Sequence, residues 1–143
     1  MFYYHTTIKL YHTDAAGILF FGHLFMIAYD AFQEFSEQMG LGVGAILHNE
    51  DYILPVVHAE ADFAAPLRVG DRITVQVQVE KLGTSSVTIS YGFASENGKA
   101  LGTAKTIHVA VSRTTRAAIP LPRALRDVLE KYAAEDSCAG EGH

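Results

Sequence analysis

One carboxylate, Asp14, stands in a glycine-punctuated turn, His12-Thr13-Asp14-Ala15-Ala16-Gly17, directly ahead of a long apolar segment. A carboxylate so placed can attack an electrophilic carbon itself, or take a proton from a water that does so. Either reaction leaves negative charge on an oxygen, which needs a positive partner. The apolar segment offers one, because the first amides of a helix have no intrahelical acceptor and carry partial positive charge. No Ser, Thr, Asp or Asn occurs between Ile18 and Tyr29 to cap them. Gly22 would let a ligand approach them closely. Helix amides of this kind can hold the oxyanion of a tetrahedral acyl intermediate.

The same residues also have plainer uses. Asp14 can close an Asx-turn and do nothing else. His12 and His23, which flank the turn, can be half-exposed hydrogen bonders. His58, Glu60 and Asp62 recur at a period of two, a spacing that could gather metal ligands but also describes the wet face of a strand. The second description is adopted, and no metal site is expected. Phe20, Phe21, Phe25, Phe32 and Phe35 read as core, with only those nearest the helix start lining a pocket. Cys138, the single cysteine, lies in a polar terminal stretch that lacks the fixed electropositive setting a reactive thiol needs.

The elements that must position Asp14 follow from hydropathy periods. Phe2–Tyr11, aromatic and β-branched, reads as a first strand. From Phe21 to Met39 the period becomes helical, through Leu24, Ala28, Ala31 and Phe35 and through Phe25, Phe32 and Met39. The first half of this helix is apolar on nearly every side, which predicts burial. After a linking segment, 41–51, four strands alternate: Pro55–Phe63, with Val57, Ala59, Ala61 and Phe63 on one face; Ile73–Leu82; Ser86–Ala94; and Leu101–Ser112, with Ile107, Val109 and Val111 on one face. Their short links, Glu96-Asn97-Gly98-Lys99 above all, predict antiparallel pairing. Pro120–Ala134 reads as a short C-terminal helix. The pattern is α+β: an antiparallel sheet of about five strands wrapped around one long central helix, the only element long and apolar enough to cover it. Residues 1–134 form one domain and 135–143 a polar, flexible tail.

Bulk properties narrow the function. The chain has 143 residues, 49% hydrophobic and 19% charged, enough for a packed core. Sixteen acidic against eleven basic residues, a net charge of −5, give no basic footprint for nucleic acid. No apolar run reaches the ~20 residues needed to span a bilayer. The first residues lack the charged and apolar regions of a secretory signal, so a cytoplasmic location is expected.

The run Thr13-Asp14-Ala15-Ala16-Gly17-Ile18-Leu19-Phe20 resembles the signature of the hot-dog-fold thioesterases of the 4-hydroxybenzoyl-CoA thioesterase family. That signature is Thr/Cys-Asp-x-x-Gly-hydrophobic-hydrophobic-aromatic, leading into the central helix. Similar runs follow in order: Leu54-Pro55-Val56-Val57, then Phe63-Ala64-Ala65-Pro66-Leu67-Arg68-Val69-Gly70-Asp71, then Ile107-His108-Val109-Ala110-Val111 and Arg116-Ala117-Ala118-Ile119-Pro120. The resemblance spans residues 5 to 132. It implies a hot-dog fold and hydrolysis of an acyl-CoA thioester, with coenzyme A as part of the substrate and no separate cofactor.

By the same resemblance Asp14 matches the catalytic carboxylate, as base or nucleophile, and the Phe21 backbone N–H matches the oxyanion donor. Gly17, Phe20, Gly22 and His23 would surround the substrate. The family pairs two sheets edge to edge and builds each site between two chains, which implies a homodimer or homotetramer. His58, Glu60 and Ser86 would then reach the site from a neighbour. Arg68, Lys81, Arg113 and Arg116 are the candidates for the coenzyme A phosphates. Many relatives carry Tyr-His and Asn-Tyr pairs where this chain has Phe20-Phe21 and His23-Leu24, which implies a flatter, more apolar acyl pocket. The Asp-Ala-Ala-Gly form with a following Phe is similar to the branch acting on 1,4-dihydroxy-2-naphthoyl-CoA, and points to an aromatic acyl group. Two other readings stay open: a hot-dog hydratase or dehydratase, and a non-catalytic acyl-CoA binding module.

Overall fold

The computed structural model describes residues 2–19, 22–40 and 51–141, of which 134–141 by backbone alone. Five strands form one antiparallel sheet: β1 (Phe2–Thr7), β3 (Val56–Phe63), β4 (Arg72–Leu82), β5 (Ser86–Ser95) and β6 (Ala100–Val109). Their order is β1-β4-β5-β6-β3. A short ladder joins β2 (Tyr52–Ile53) to β7 (Val111–Ser112). Helix α1 (His23–Gln38) lies on one face of the sheet, and α2 (Arg123–Glu141) closes the chain. The α+β hot-dog arrangement expected from the sequence is present.

The centre of the sheet follows from strict alternation. Ile73, Val75, Val77 and Val79 of β4 are buried, and so are Val87, Ile89, Tyr91 and Phe93 of β5. The register sets Val75 against Phe93, Val77 against Tyr91 and Val79 against Ile89. Each fully buried aliphatic side chain stabilises the fold by about 1.5–3 kcal/mol. On this face α1 lays Leu24, Ile27, Ala28, Ala31 and Phe35. The two alanines bring the helix backbone close to the strands.

Several expectations change at the edges. The first strand stops at Thr7 rather than Tyr11, because Leu10–His12 winds into a 3-10 turn closed by the His12 amide on the Lys9 carbonyl, 3.0 Å. The C-terminal helix begins after Pro120 and Pro122, whose missing N–H groups suit positions ahead of a helix. It then runs on to Glu141, so 135–141, expected as a tail, continue the helix. Nor does α1 cover the sheet alone. Leu121, Leu125 and Leu129 are buried, and the Tyr132 ring meets Phe35 edge-on at 5.4 Å. The first half of α1 is not buried all round either, since Met26 and Tyr29 are half-exposed. The linking segment 41–50 lies outside the described residues.

The phases of β3 and β6 also differ from the expected ones. A bulge between Val56 and His58 takes Val57 off the expected face and leaves it 59% exposed. Beyond it, Ala59, Ala61 and Phe63 stand opposite Thr106, Ala104 and Gly102, on the face toward α1. In β6 the side chains of Leu101, Ala104, Thr106 and His108 are buried, whereas Ile107 and Val109 are only half-buried on the other face. Neighbouring β5 decides this, because Ile89 pairs with Thr106 and Val87 with His108. Two polar side chains therefore enter the core. Gly102 has its own reason to be glycine: a Cβ there would come within 2.7 Å of the Asp62 carbonyl oxygen on β3.

Candidate active site

Asp14 occupies a closed turn between the 3-10 segment and α1. Its amide donates to the Ile18 carbonyl at 2.9 Å, and the Gly17 amide donates to its carbonyl at 3.0 Å. Gly17 takes φ +74°, a left-handed conformation that side chains resist. The carboxylate then folds back on this frame: Oδ1 accepts from the Ala16 amide at 2.8 Å and, at a longer 3.4 Å, from the Ile18 amide. The Asx-turn expected as the plainer use of Asp14 is thus present. One oxygen is fixed by the backbone, and Oδ2 has no partner among the described residues. Replacing Gly17 by Ala is expected to lower stability by about 1–2 kcal/mol and to slow turnover as the frame loosens. An unchanged urea midpoint would show that the frame tolerates the side chain.

The turn is docked, not loose. The Leu19 amide donates to the Leu67 carbonyl at 2.7 Å, the Val69 amide donates to the Gly17 carbonyl at 3.3 Å, and Ile18 bridges to Arg68. From the other side His23, the first residue of α1, bonds the His12 carbonyl through Nδ1 at 2.9 Å. His12 itself is buried, not half-exposed as expected. Its Nδ1 accepts the Lys9 amide at 2.9 Å, so the neutral ring carries its proton on Nε2. Burial lowers its pKa from the ordinary value, with smaller downward pushes from His23 and Lys9 opposed by Asp30. A neutral ring committed to a backbone amide frames the turn.

At the start of α1, Gly22 is the cap residue, no side chain caps the helix, and no acidic residue stands in its first turn. The uncapped helix start read from the sequence is present at Gly22. Phe20 and Phe21, the pocket wall and the oxyanion donor implied by the resemblance, lie outside the described residues. Gly22 and His23 adjoin the Asp14 turn as expected, and Gly17 is part of it.

The remaining candidates separate. Arg68 is exposed and beside the turn through its bridge to Ile18. Lys81 sits nine residues along β4 from Arg72, about 30 Å away at strand rise. Ser86, Arg113 and Arg116 share that far end, Arg116 in an exposed turn with φ +63°. His58 and Glu60 stand opposite Ile107 and Lys105 on the sheet face away from α1 and pair with each other at 3.6 Å. Among the described candidates of one chain, then, Arg68, Gly17, Gly22 and His23 gather at Asp14. Sequence reasoning passed over the buried His108, Thr106 and Tyr91 cluster described below. Among the described residues no group of three His, Cys, Asp or Glu is placed to hold a metal ion. No described helix is long and apolar enough to cross a membrane.

A helix laid on a five-stranded antiparallel sheet is the architecture that the chain shares with a known class. Residues 8–129 match the Thioesterase-like superfamily, and the chain belongs to it. The likeness reaches particular members. Over 129 residues the chain is 34% identical to a 1,4-dihydroxy-2-naphthoyl-CoA hydrolase of Rippkaea orientalis, covering 89% of this chain and 94% of that one. It is equally 34% identical, over 124 residues, to a 1,4-dihydroxy-2-naphthoyl-CoA hydrolase of Synechococcus elongatus, covering 86% and 90%. A solved 1,4-dihydroxy-2-naphthoyl-CoA thioesterase from Synechocystis superposes with a TM-score of 0.84 at 28% identity, over 90% of this chain and 94% of that one.

Proposed function

We propose that the protein hydrolyses the thioester bond of an aromatic acyl-CoA, with 1,4-dihydroxy-2-naphthoyl-CoA the substrate that its relatives suggest first and 4-hydroxybenzoyl-CoA the next. The observation that carries the reading is the Asp14 carboxylate, pinned through Oδ1 in the Gly17 turn beside an uncapped helix start. Acting as base, Asp14 takes a proton from water and the hydroxide adds to the thioester carbon. Acting as nucleophile, it forms an anhydride that water then opens. In both routes a tetrahedral oxyanion forms, and the amides at the start of α1, together with the Phe21 N–H that the resemblance implies, are the donors suited to it. Collapse breaks the C–S bond and expels the coenzyme A thiolate. A thiol pKa near ~8.5 makes that leaving group good enough to need no strong acid, which suits a site without an available histidine base in His12. No separate cofactor or metal is required by this chemistry. Following free thiol from a panel of aryl- and alkyl-CoA esters tests the reading, with aryl esters expected to turn over fastest. Hydration of an enoyl ester without thiol release would favour the hydratase alternative, and tight CoA binding with neither reaction would favour a binding module.

We also propose that the working unit pairs two chains through β3, in a dimer or a dimer of dimers, in the cytoplasm. Strand β3 is a sheet edge, its Val57 and Phe63 are exposed, and Met26 and Tyr29 of α1 are half-exposed on the same molecule. Such an edge is a template for another strand. A two-fold axis through β3 would set the Val56 end of one chain beside the Phe63 end of its neighbour. The neighbour's Arg113 and Arg116 would then approach the Asp14 end, where the coenzyme A phosphates need cations. Sedimentation is expected to give the mass of two or four chains. Val57→Lys is expected to shift it toward one chain and to reduce activity with it. A monomeric, fully active wild type would contradict the pairing.

A further inference from the structure

Under the middle of α1 lies a closed chain of buried polar groups that the thioesterase reaction, as derived above, does not use. His108 is 1% exposed, and both ring nitrogens are held. Nδ1 bonds the Leu54 carbonyl at 3.4 Å, and Nε2 faces Thr106 Oγ1 at 3.0 Å. Thr106 Oγ1 in turn lies 3.0 Å from the Tyr91 hydroxyl. A carbonyl only accepts, so the Nδ1 proton is fixed there, and in the neutral ring Nε2 must accept. Thr106 therefore donates to His108 and accepts from Tyr91. Burial keeps the ring neutral, holding its pKa down to about 4. Every member has one place for its proton, so the imidazole plane cannot rotate without breaking a buried hydrogen bond.

Helix α1 rests on this plate. The Phe32 ring stacks on the His108 ring, with centroids 4.8 Å apart and planes 17° from parallel. One turn earlier, Tyr29 meets the same ring edge-on, at 6.4 Å and 87°. The other contacts of α1 with the sheet are aliphatic, through Leu24, Ile27, Ala28 and Ala31, apart from Phe35, whose ring meets Phe2 of β1 at 5.5 Å and 39°. Phe32 is nine residues from His23, about 13.5 Å along a rigid helix. At that far end His23 holds the His12 carbonyl, two residues before Asp14.

We infer that His108 is a positioning residue for thioester hydrolysis, fixing through Phe32 and Tyr29 the height and rotation of α1 and so the place of its N-terminus relative to Asp14. The inference rests on the thioesterase reading. It assigns to a buried histidine, remote from the reacting atoms, control over an alignment in which displacement by about 1 Å costs on the order of 10²-fold in rate.

The test uses the full chain and measures kcat, KM and the melting temperature together. Phe32→Leu removes the stack and leaves the polar chain intact. The Thr106→Val/His108→Phe double variant keeps a ring of similar size but removes its clamps. Each variant, shown fully folded at the assay temperature, is expected to lower kcat about 10-fold with KM within twofold of wild type. Because both act through one contact, combining them should cost no more than either alone. Wild-type kcat in a folded variant, or strictly multiplicative losses, would overturn the inference. If the double variant does not fold, Phe32→Leu alone carries the same kcat and KM expectation. A wild type that releases no thiol from any ester would instead remove the thioesterase reading itself.

Discussion

Replacing Asp14 by Asn is expected to lower kcat for aryl-CoA hydrolysis by about 10²–10⁴-fold, the range for loss of a positioned acid–base group. KM should change little. The amide side chain retains an oxygen that can accept the Ala16 and Ile18 amides, so the Gly17 turn should survive. What disappears is the anionic oxygen that takes a proton from water or attacks the carbonyl. Melting temperature and CoA binding, measured on the same preparation, should match wild type. An Asp14→Asn protein with wild-type rates would remove the carboxylate from the mechanism even if the activity itself were real.

The second large effect is on stability in acid. Through His108 alone the fold is expected to lose about 3 kcal/mol between pH 6.5 and about 4. In the unfolded chain the imidazole takes up a proton near 6.5. In the folded chain burial holds this down to about 4, against a smaller upward pull from the Leu54 carbonyl. Throughout that window the unfolded state binds more protons, so acid favours unfolding. Above 6.5 both states are neutral and the contribution vanishes; below about 4 the loss is complete. His12 is shifted in the same direction by its own burial and adds to the slope. Urea midpoints at pH 7 and pH 5 should therefore differ clearly, and the Thr106→Val/His108→Phe variant should show a shallower dependence. Equal slopes in the two proteins would assign the acid sensitivity elsewhere.

That histidine also shows where reading the chain stops. The Asp14 turn was legible because each part leaves a mark: an Asx residue, a glycine three positions on, and a helix without a capping side chain. The alternation of β4 and β5 was legible because only one face of each is apolar. In β6 both faces offer candidates, with Ile107 and Val109 on one and Ala104, Thr106 and His108 on the other. Composition favours the first face, yet the structure buries the second, since pairing with Val87 and Ile89 sets the phase. The buried Tyr91 hydroxyl then finds its partner in Thr106. The β3 bulge was equally hidden, because one extra residue reverses the phase of the residues before it without any compositional sign.

The site was half legible for a related reason. A motif places residues that are neighbours in the chain, so Asp14, Gly17, Gly22 and His23 came together as read. Lys81, Ser86, Arg113 and Arg116 were chosen for their chemistry or by resemblance, and strand length carries them to the far end of the sheet. The apolar first half of α1, read as buried, is half-exposed at Met26 and Tyr29, a pattern that hydropathy alone does not reveal.

The most direct test is the rate of free coenzyme A production when purified protein is mixed with saturating 1,4-dihydroxy-2-naphthoyl-CoA. Steady thiol release, faster than from an alkyl-CoA ester and dependent on Asp14, is the predicted result. Intact protein that binds coenzyme A but releases no thiol from this or any other aryl ester would contradict the account.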